Sequence, residues 1–485
     1  MSKDNFKIQK MTSIKHTIKS TLVLVSAGII ISCTAEKYRK PELSLPQKFR
    51  NDERGEIKTS LGETHYKEFF KDPVLISLLD KAMKKNYDVQ VALKQIEFAS
   101  LAYNQSKWGN VPKINATIAG ATITRPSDNS MNGMMAGQFM GKRYMGDYMT
   151  SASFSWEADI WGKIKGAKDQ SLAEYLQTQE ASKAVKIRLV SDIADGYYNL
   201  LMLDKQLEIT KSNLSVADST LVILKKQYEL GLTTSLAIEQ QEINRNQILK
   251  SISPLESSIN IQENALSILS GEMPSKIDRS QSIDQILYPD VLPDVGVPSE
   301  LLSYRPDVKN SELELRKSFT AIHLAKVNMY PALNITGQGG LNSFKISDWF
   351  NIPGSLFGII GGSIAAPVLN GKELKTKYEQ SKIKMDQSEL NFKQTVLKAV
   401  GEVSDALAEL NKLEEQQKIS EQLVLQAKSN VNNSLMLYKY NEATYLDVLL
   451  SQTNKLQIEL DLVFIRNQRL HAITSLYRSL GGGWQ

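Results

Sequence analysis

The sequence predicts a mostly α-helical protein built of long antiparallel coiled-coil helices in a duplicated architecture, with four β-strands per chain. Three observations predict it. First, the stretch from Lys163 to Glu229 has no proline and only two glycines, Gly166 and Gly196. Its apolar residues Val185, Leu189, Ile193, Tyr197, Leu200, Leu203 and Leu207 recur three or four apart, the stripe of an amphipathic helix. At about 1.5 Å per residue such a helix runs roughly 100 Å, too long to fold inside an ordinary globular domain. Second, the pattern returns after Gly371-Lys372, where Val396, Val400, Val403, Leu407, Leu410 and Leu413 make a similar stripe. Val190, Asp192 and Asp195 correspond to Val400, Glu402 and Asp405 at an offset of 210, and Tyr228-x-x-Gly231 to Tyr438-x-x-Asn441. Upstream, Asp88 matches Asp307 and Pro112 matches Pro331 at an offset of 219, so the first copy carries nine extra residues between Pro112 and Gly162. Third, short alternating segments precede both long helices, two in each copy.

In chain order, residues 1–32 have the form of a signal peptide. Lys15 and Lys19 precede an apolar core from Thr21 to Ile31, too short to span a bilayer, and Ser32-Cys33 follow. The ending Ile30-Ile31-Ser32-Cys33 resembles a bacterial lipobox, which implies cleavage before Cys33 and lipidation of that residue; the alternative is an uncleaved anchor with an incidental cysteine. Cys33 is the one cysteine, so no disulfide framework exists. The net charge is +5, and residues 1–32 hold five lysines against Asp4, so the remainder is near neutral. That balance argues against nucleic acid or an acidic substrate as partner.

Residues 33–68 are polar and weakly patterned, a linker from lipid to body. A first repeat occupies 69–271. A helix starts at Asp72-Pro73, with proline in the first turn where its missing N–H does no harm, and a second runs from Asn86 to about Trp108. A β-hairpin spans 113–157, with strands at 113–121 and 151–157 and a long loop, Thr124–Met149, between them. That loop concentrates Met131, Met134, Met135, Met140, Met145 and Met149; thioethers suit Cu(I), and flexible apolar lining is the plainer role. After the long helix, Gly231-Leu232-Thr233-Thr234 turns the chain into a return helix ending near Gly271. The proline-rich segment 272–298 is an irregular bridge wrapping the helical body, and a second repeat fills 299–485 with a β-hairpin at 333–365 (strands 333–341 and 357–365). Its turn is Asn441–Thr444 and its return helix ends near Leu480.

Strands of nine residues or more suit a tilted transmembrane β-strand. Four cannot close a barrel, and open edges are intolerable in lipid, so several chains must share one barrel. The other reading is two soluble hairpins packed on helices. Neither HExxH, CxxC nor GxxxxGK[ST] occurs, and His16, His65, His323 and His471 are scattered, so the expectation is no enzyme, no cofactor and no bound metal.

Phe69-Phe70-x-Asp72-Pro73, SWEADIWGK (155–163), Tyr304-Arg305-Pro306-Asp307-Val308, APVLNGK (366–372), Tyr438…Leu446-Asp447-Val448-Leu449 and the ending Tyr477-Arg478-x-Leu480-Gly481-Gly482-Gly483-Trp484 together resemble TolC-type outer-membrane efflux factors. The resemblance is to the lipoprotein branch serving resistance-nodulation-division pumps. It implies a homotrimer whose strands form one shared 12-stranded barrel in outer-membrane lipid, above a periplasmic helical tube. It implies a passive conduit for drugs or other small molecules, with a periplasmic adaptor and an inner-membrane pump as partners. It also implies that Asp447 belongs to an acidic ring gating the periplasmic mouth. The spacing Thr444-x-x-Asp447 equally describes a helix cap. Leu450 stands where some relatives place a second acid, and Ala237 is the first-copy equivalent of Asp447. By the same resemblance Tyr228, Gly231, Thr234, Tyr438, Asn441 and Thr444 form adaptor-contacting tips, although glycine and threonine are also ordinary helix terminators and caps. A periplasmic coiled-coil lipoprotein, structural or adhesive, and a duct for type I secretion are the alternatives.

Overall fold

The computed structural model describes residues 38–50, 62, 64–138, 141, 143–286 and 296–484. Cys33 and Met140 lie outside them. Helices α1 (Tyr66–Phe69), α2 (Pro73–Lys85) and α3 (Tyr87–Ser106) lead to strand β1 (Lys113–Thr124). Helix α4 (Met131–Gln138), strand β2 (Met145–Ala158) and the long helices α5 (Lys163–Glu229) and α6 (Ser235–Leu269) complete the first half. The second half comprises α7 (Leu301–Tyr304), α8 (Pro306–Val327), β3 (Ala332–Ser343), β4 (Leu356–Ala365), α9 (Glu373–Lys439) and α10 (Tyr445–Ser479).

The duplication is metrical. Helices α5 and α9 have 67 residues each, and α6 and α10 have 35 each. Strands β1 and β3 have 12 each. The expected start of α2 is seen in detail: Pro73 opens the helix and the Asp72 carboxylate accepts from the Val74 and Leu75 N–H groups at 2.8 and 3.1 Å.

Two expectations need correction. Strand β2 begins at Met145, six residues before Ser151, so the connection between the strands is shorter than Thr124–Met149 and holds helix α4. Residues 145–149 lack a strong strand pattern of their own; they extend because Gly120–Thr124 pair with them beyond a register shift at Thr117/Gly120, and β3 pairs with Tyr148 onward from the other side. The remaining strands likewise run one to three residues longer than the alternating segments, because ladder partners carry the pairing to the turn.

The residues fall into two compact units. One holds 101–173 and 315–388 and contains the antiparallel sheet, in the order β1-β2-β3-β4. The other holds 42–100, 174–314 and 389–485. Its core is the predicted stripe: Ile193, Tyr197, Leu200, Val396, Val403 and Leu407 are buried, with Leu266 and Leu476 from the return helices. Burial pushes the Tyr197 hydroxyl up to about 12, while that hydroxyl donates to Asp72 at 3.1 Å. The bridge is pinned in this unit by charge. Arg279 pairs with Asp204 of α5 at 2.7 Å and with Glu263 of α6, and Asp284 takes Lys205 of α5 at 2.9 Å and Arg466 of α10.

Candidate functional site

Two places carry the functional geometry: the sheet in one unit and the paired helical turns in the other. The register of the sheet sorts most of its side chains by polarity. Ile114, Phe154, Ile335, Leu333, Ile360 and Ile364 fall on one face through the pairs Ile114↔Phe154, Trp156↔Ile335, Gly337↔Ile360 and Leu333↔Ile364. Isoleucines 114, 360 and 364 are each at least 75% exposed. The opposite face carries Asn115, Thr117, Ser151, Ser153, Thr336 and Gln338, with Phe357 and Ile359 from β4, and there the Gln338 amide donates to the Ser151 hydroxyl at 3.0 Å. Phe154 lies across Gly337, where any Cβ would strike its ring. The only charged strand residues are Lys113 and Glu157 at the end nearer the helices and Asp147 at the other. Strands β1 and β4 have no outer neighbour in the sheet. An apolar face, a neutral hydroxyl–amide face and two free edges are the requirements of a barrel section whose outside meets lipid and whose inside meets water. No helix among the described residues is long and apolar enough to cross a membrane.

At the turns, the sequence-predicted residues occupy equivalent places. Gly231 (φ 70°) and Asn441 (φ 61°) adopt the left-handed conformation, which glycine and asparagine tolerate best. Leu232 N–H reaches back to Gln227 O at 2.8 Å, and Glu442 N–H to Leu437 O at 2.9 Å, the six-to-one closure of a helix end. Thr234 and Thr444 are the N-caps of α6 and α10. The turns are joined by a small core of Leu224, Ala237, Tyr445 and Val448, with Tyr438 packed on it at 5.9 Å from the Tyr445 ring. Tyr228 sits in the last turn of α5, half-exposed.

Asp447 lies outside that core, fully accessible, in the first turn of α10. The Thr444 N–H and hydroxyl donate to Asp447 Oδ2 at 2.8 and 2.7 Å, and these bonds hold its carboxyl below the usual aspartate value. The helix-cap role is therefore realised. Gln227, Tyr445 and Gln241, which sequence reasoning did not single out, tie the turns together. Tyr438 OH donates to Gln227 Oε1 at 3.1 Å, Tyr445 OH donates to buried Gln241 Oε1 at 2.6 Å, and Gln241 Nε2 donates to Ala217 O at 2.7 Å. A glutamine inside a helical apolar stripe, at Gln241, was the signal that a buried polar contact lay there. In the hairpin of the other unit, Met131, Met134 and Met135 are exposed on α4 of the connection, and the Sδ of Met149 in β2 accepts from Gln338 at 3.5 Å. Among the described residues no cluster of histidine, cysteine or acidic side chains is arranged to hold a metal.

The family profile for outer membrane efflux proteins matches residues 78–272 and 297–482. The cation efflux system protein CusC of Escherichia coli is 26% identical over 457 residues, covering 93% of this chain and 95% of the relative. The probable outer membrane lipoprotein SilC of Salmonella typhimurium is 24% identical, covering 98% and 100%. Among solved structures, the outer-membrane channel OprN superposes with a TM-score of 0.84 at 19% identity, covering 93% of this chain and 99% of that one. The two-faced sheet, the metrical duplication and these matches agree: the chain belongs to the outer membrane efflux protein family.

Proposed function

We propose that this chain is one subunit of a trimeric outer-membrane duct of a tripartite efflux system, in which three four-stranded sheets close one twelve-stranded barrel. The single observation that carries this reading is the sheet itself: a lipid-compatible face, a neutral polar face, and two edges that only other copies can satisfy. The helices supply a second support. Val222, Ile223, Ile243, Ile261, Leu390 and Leu425 are exposed along α5, α6 and α9, apolar side chains left over after the chain's own core is filled.

In this reading the barrel and tube are passive, and the work of transport belongs to an inner-membrane pump of the resistance-nodulation-division type acting through a periplasmic adaptor. Adaptor contact falls on the tips, Tyr228, Gly231, Thr234, Tyr438, Asn441 and Thr444. Asp447, one per subunit, gives the mouth three like charges that favour cations and water over apolar solutes. A lipid on Cys33 adds a second attachment to the same membrane, as the description of SilC as an outer membrane lipoprotein suggests. The relative CusC is named for cation efflux, so cations stand beside drugs among the cargoes to try first.

The test is the mass of the detergent-solubilised protein with cysteines placed in β1 and β4. Three copies, joined by β1-to-β4 disulfides under oxidation, is the expected result. A monodisperse monomer with unreacted edge thiols would overturn the shared barrel.

A further inference from the structure

The connection between β3 and β4 is unlike its counterpart between β1 and β2. Residues 344–355 lie at the end of the sheet away from α8 and α9, and their backbone is folded on itself. Asp348 N–H donates to Lys345 O at 3.2 Å, Asn351 N–H to Asp348 O at 3.1 Å, Ser355 N–H to Asn351 O at 2.8 Å, and Ser355 Oγ to Asp348 O at 2.5 Å. This self-contained loop turns its large apolar side chains outward: Phe344, Ile346, Phe350 and Ile352 are 52–68% exposed. The patch continues onto the apolar face of the sheet. Leu341 pairs with Leu356 on that face at the root of the loop, and Tyr148, also on that face, packs its ring 5.8 Å from Trp349. The connection between β1 and β2 instead mixes the charged and polar Arg125, Asp128, Asn129 and Arg143 with exposed Met131, Met134, Met135 and Tyr144.

We infer that the β3–β4 loop is a membrane-interface anchor, with Phe344, Ile346, Phe350 and Ile352 seated in the lipid leaflet at the end of the barrel away from the helices. Its occupant is lipid because three features coincide. A rigid apolar patch of this kind is costly in water. Part of its backbone, the N–H groups of Asp348, Trp349, Asn351 and Ser355, is already hydrogen-bonded within the loop, which lowers the cost of leaving water. It is also continuous with the sheet face that the barrel turns to hydrocarbon. Aromatic side chains favour the depth just below the headgroups. The Lys345 ammonium, with no carboxylate partner among the described residues, is placed to reach anionic headgroups while its stem lies along the patch. The anchor rests on the proposed barrel.

The experiment uses the full chain with Cys33→Ser, so that an environment-sensitive fluorophore goes only to an introduced thiol. Phe350→Cys reports the loop, Ile360→Cys the middle of the apolar sheet face, and Asn129→Cys a polar position in the β1–β2 connection. Each labelled protein is reconstituted into vesicles containing lipids with a nitroxide either near the headgroup or near the chain end. The account expects quenching of about two-fold or more at positions 350 and 360, strongest from the shallow nitroxide at 350 and from the deep one at 360, with little at 129. Quenching at 360 without quenching at 350 overturns the anchor and leaves the barrel standing. Cross-linking of the 350 thiols between copies overturns it in favour of a subunit contact. Absence of quenching at both positions overturns the barrel reading and the anchor with it.

Discussion

The two helical hairpins have the same lengths and the same turn geometry, yet differ at the residues that decide what each turn does. Position 237 in the first is a buried alanine; its counterpart in the second is the exposed Asp447. Gln241, fully buried and hydrogen-bonded, corresponds to Ser451, whose hydroxyl meets that of Ser434 at 2.6 Å. A cross-hairpin ion pair occurs at the same height in both with its charges reversed: Lys211 with Glu256 at 2.8 Å, and Glu421 with Arg466 at 3.1 Å. Duplication thus preserves the backbone, which needs only helix length and a left-handed closing residue, while the contacts are divided. At these matched positions the first hairpin supplies buried support. The second carries the solvent-facing charge and the tyrosines that bind it to the first.

That division can be broken most severely by giving the first tip the second tip's acid. Ala237→Asp places a carboxylate beside Leu224, Tyr445 and Val448 with no cation in the core, and should cost about 3 kcal/mol, read as a lowered unfolding midpoint and faster proteolysis between residues 228 and 238. Asp447→Ala, by contrast, should leave the midpoint nearly unchanged. Tyr445→Phe is the next largest effect. It removes the hydroxyl that satisfies buried Gln241 while keeping the ring, at an expected cost of about 1–2 kcal/mol in denaturant titration, and it should loosen one tip from the other. Gly231→Ala tests the shared turn and should cost about 1 kcal/mol, whereas Gly231→Asn, which copies the second turn, should cost less.

The smallest effect is on pH. The Asp447 carboxyl is held below its ordinary value by Thr444, so its contribution is fully present above the unfolded aspartate value of about 3.9 and is lost as pH falls through the depressed one. Hydrogen exchange in residues 445–449, corrected for the intrinsic rate, should accelerate only below about pH 4. Residues 235–239, with alanine at the equivalent position, should show no such step, and Asp447→Asn should abolish it.

How much of this was legible in the sequence varies with the range of the interaction. Lys163–Glu229 was bounded to the residue because the helix is local: periodicity, absence of proline and a following glycine suffice. Strand β2 was cut short because Met145–Thr150 become strand through partners in β1 and β3, which local pattern does not contain. The turns were found through Gly231 and Asn441, whose conformation is a property of the residue. The Tyr445–Gln241 and Tyr438–Gln227 contacts were not found, since each joins residues more than 200 apart in sequence. Asp447 was readable as a cap from its spacing to Thr444. The proposed acidic ring needs Asp447 from several copies of the chain, a contact between chains that local spacing does not encode.

The central claim is that copies of this chain enclose a conducting path gated at the second tip. Single-channel current in a planar bilayer, from wild type and from Asp447→Ala in parallel, tests it most directly. The account predicts a small, cation-preferring current from the wild type that grows and loses preference in the variant. Well-folded protein that inserts into the bilayer and passes no current in either form would contradict it.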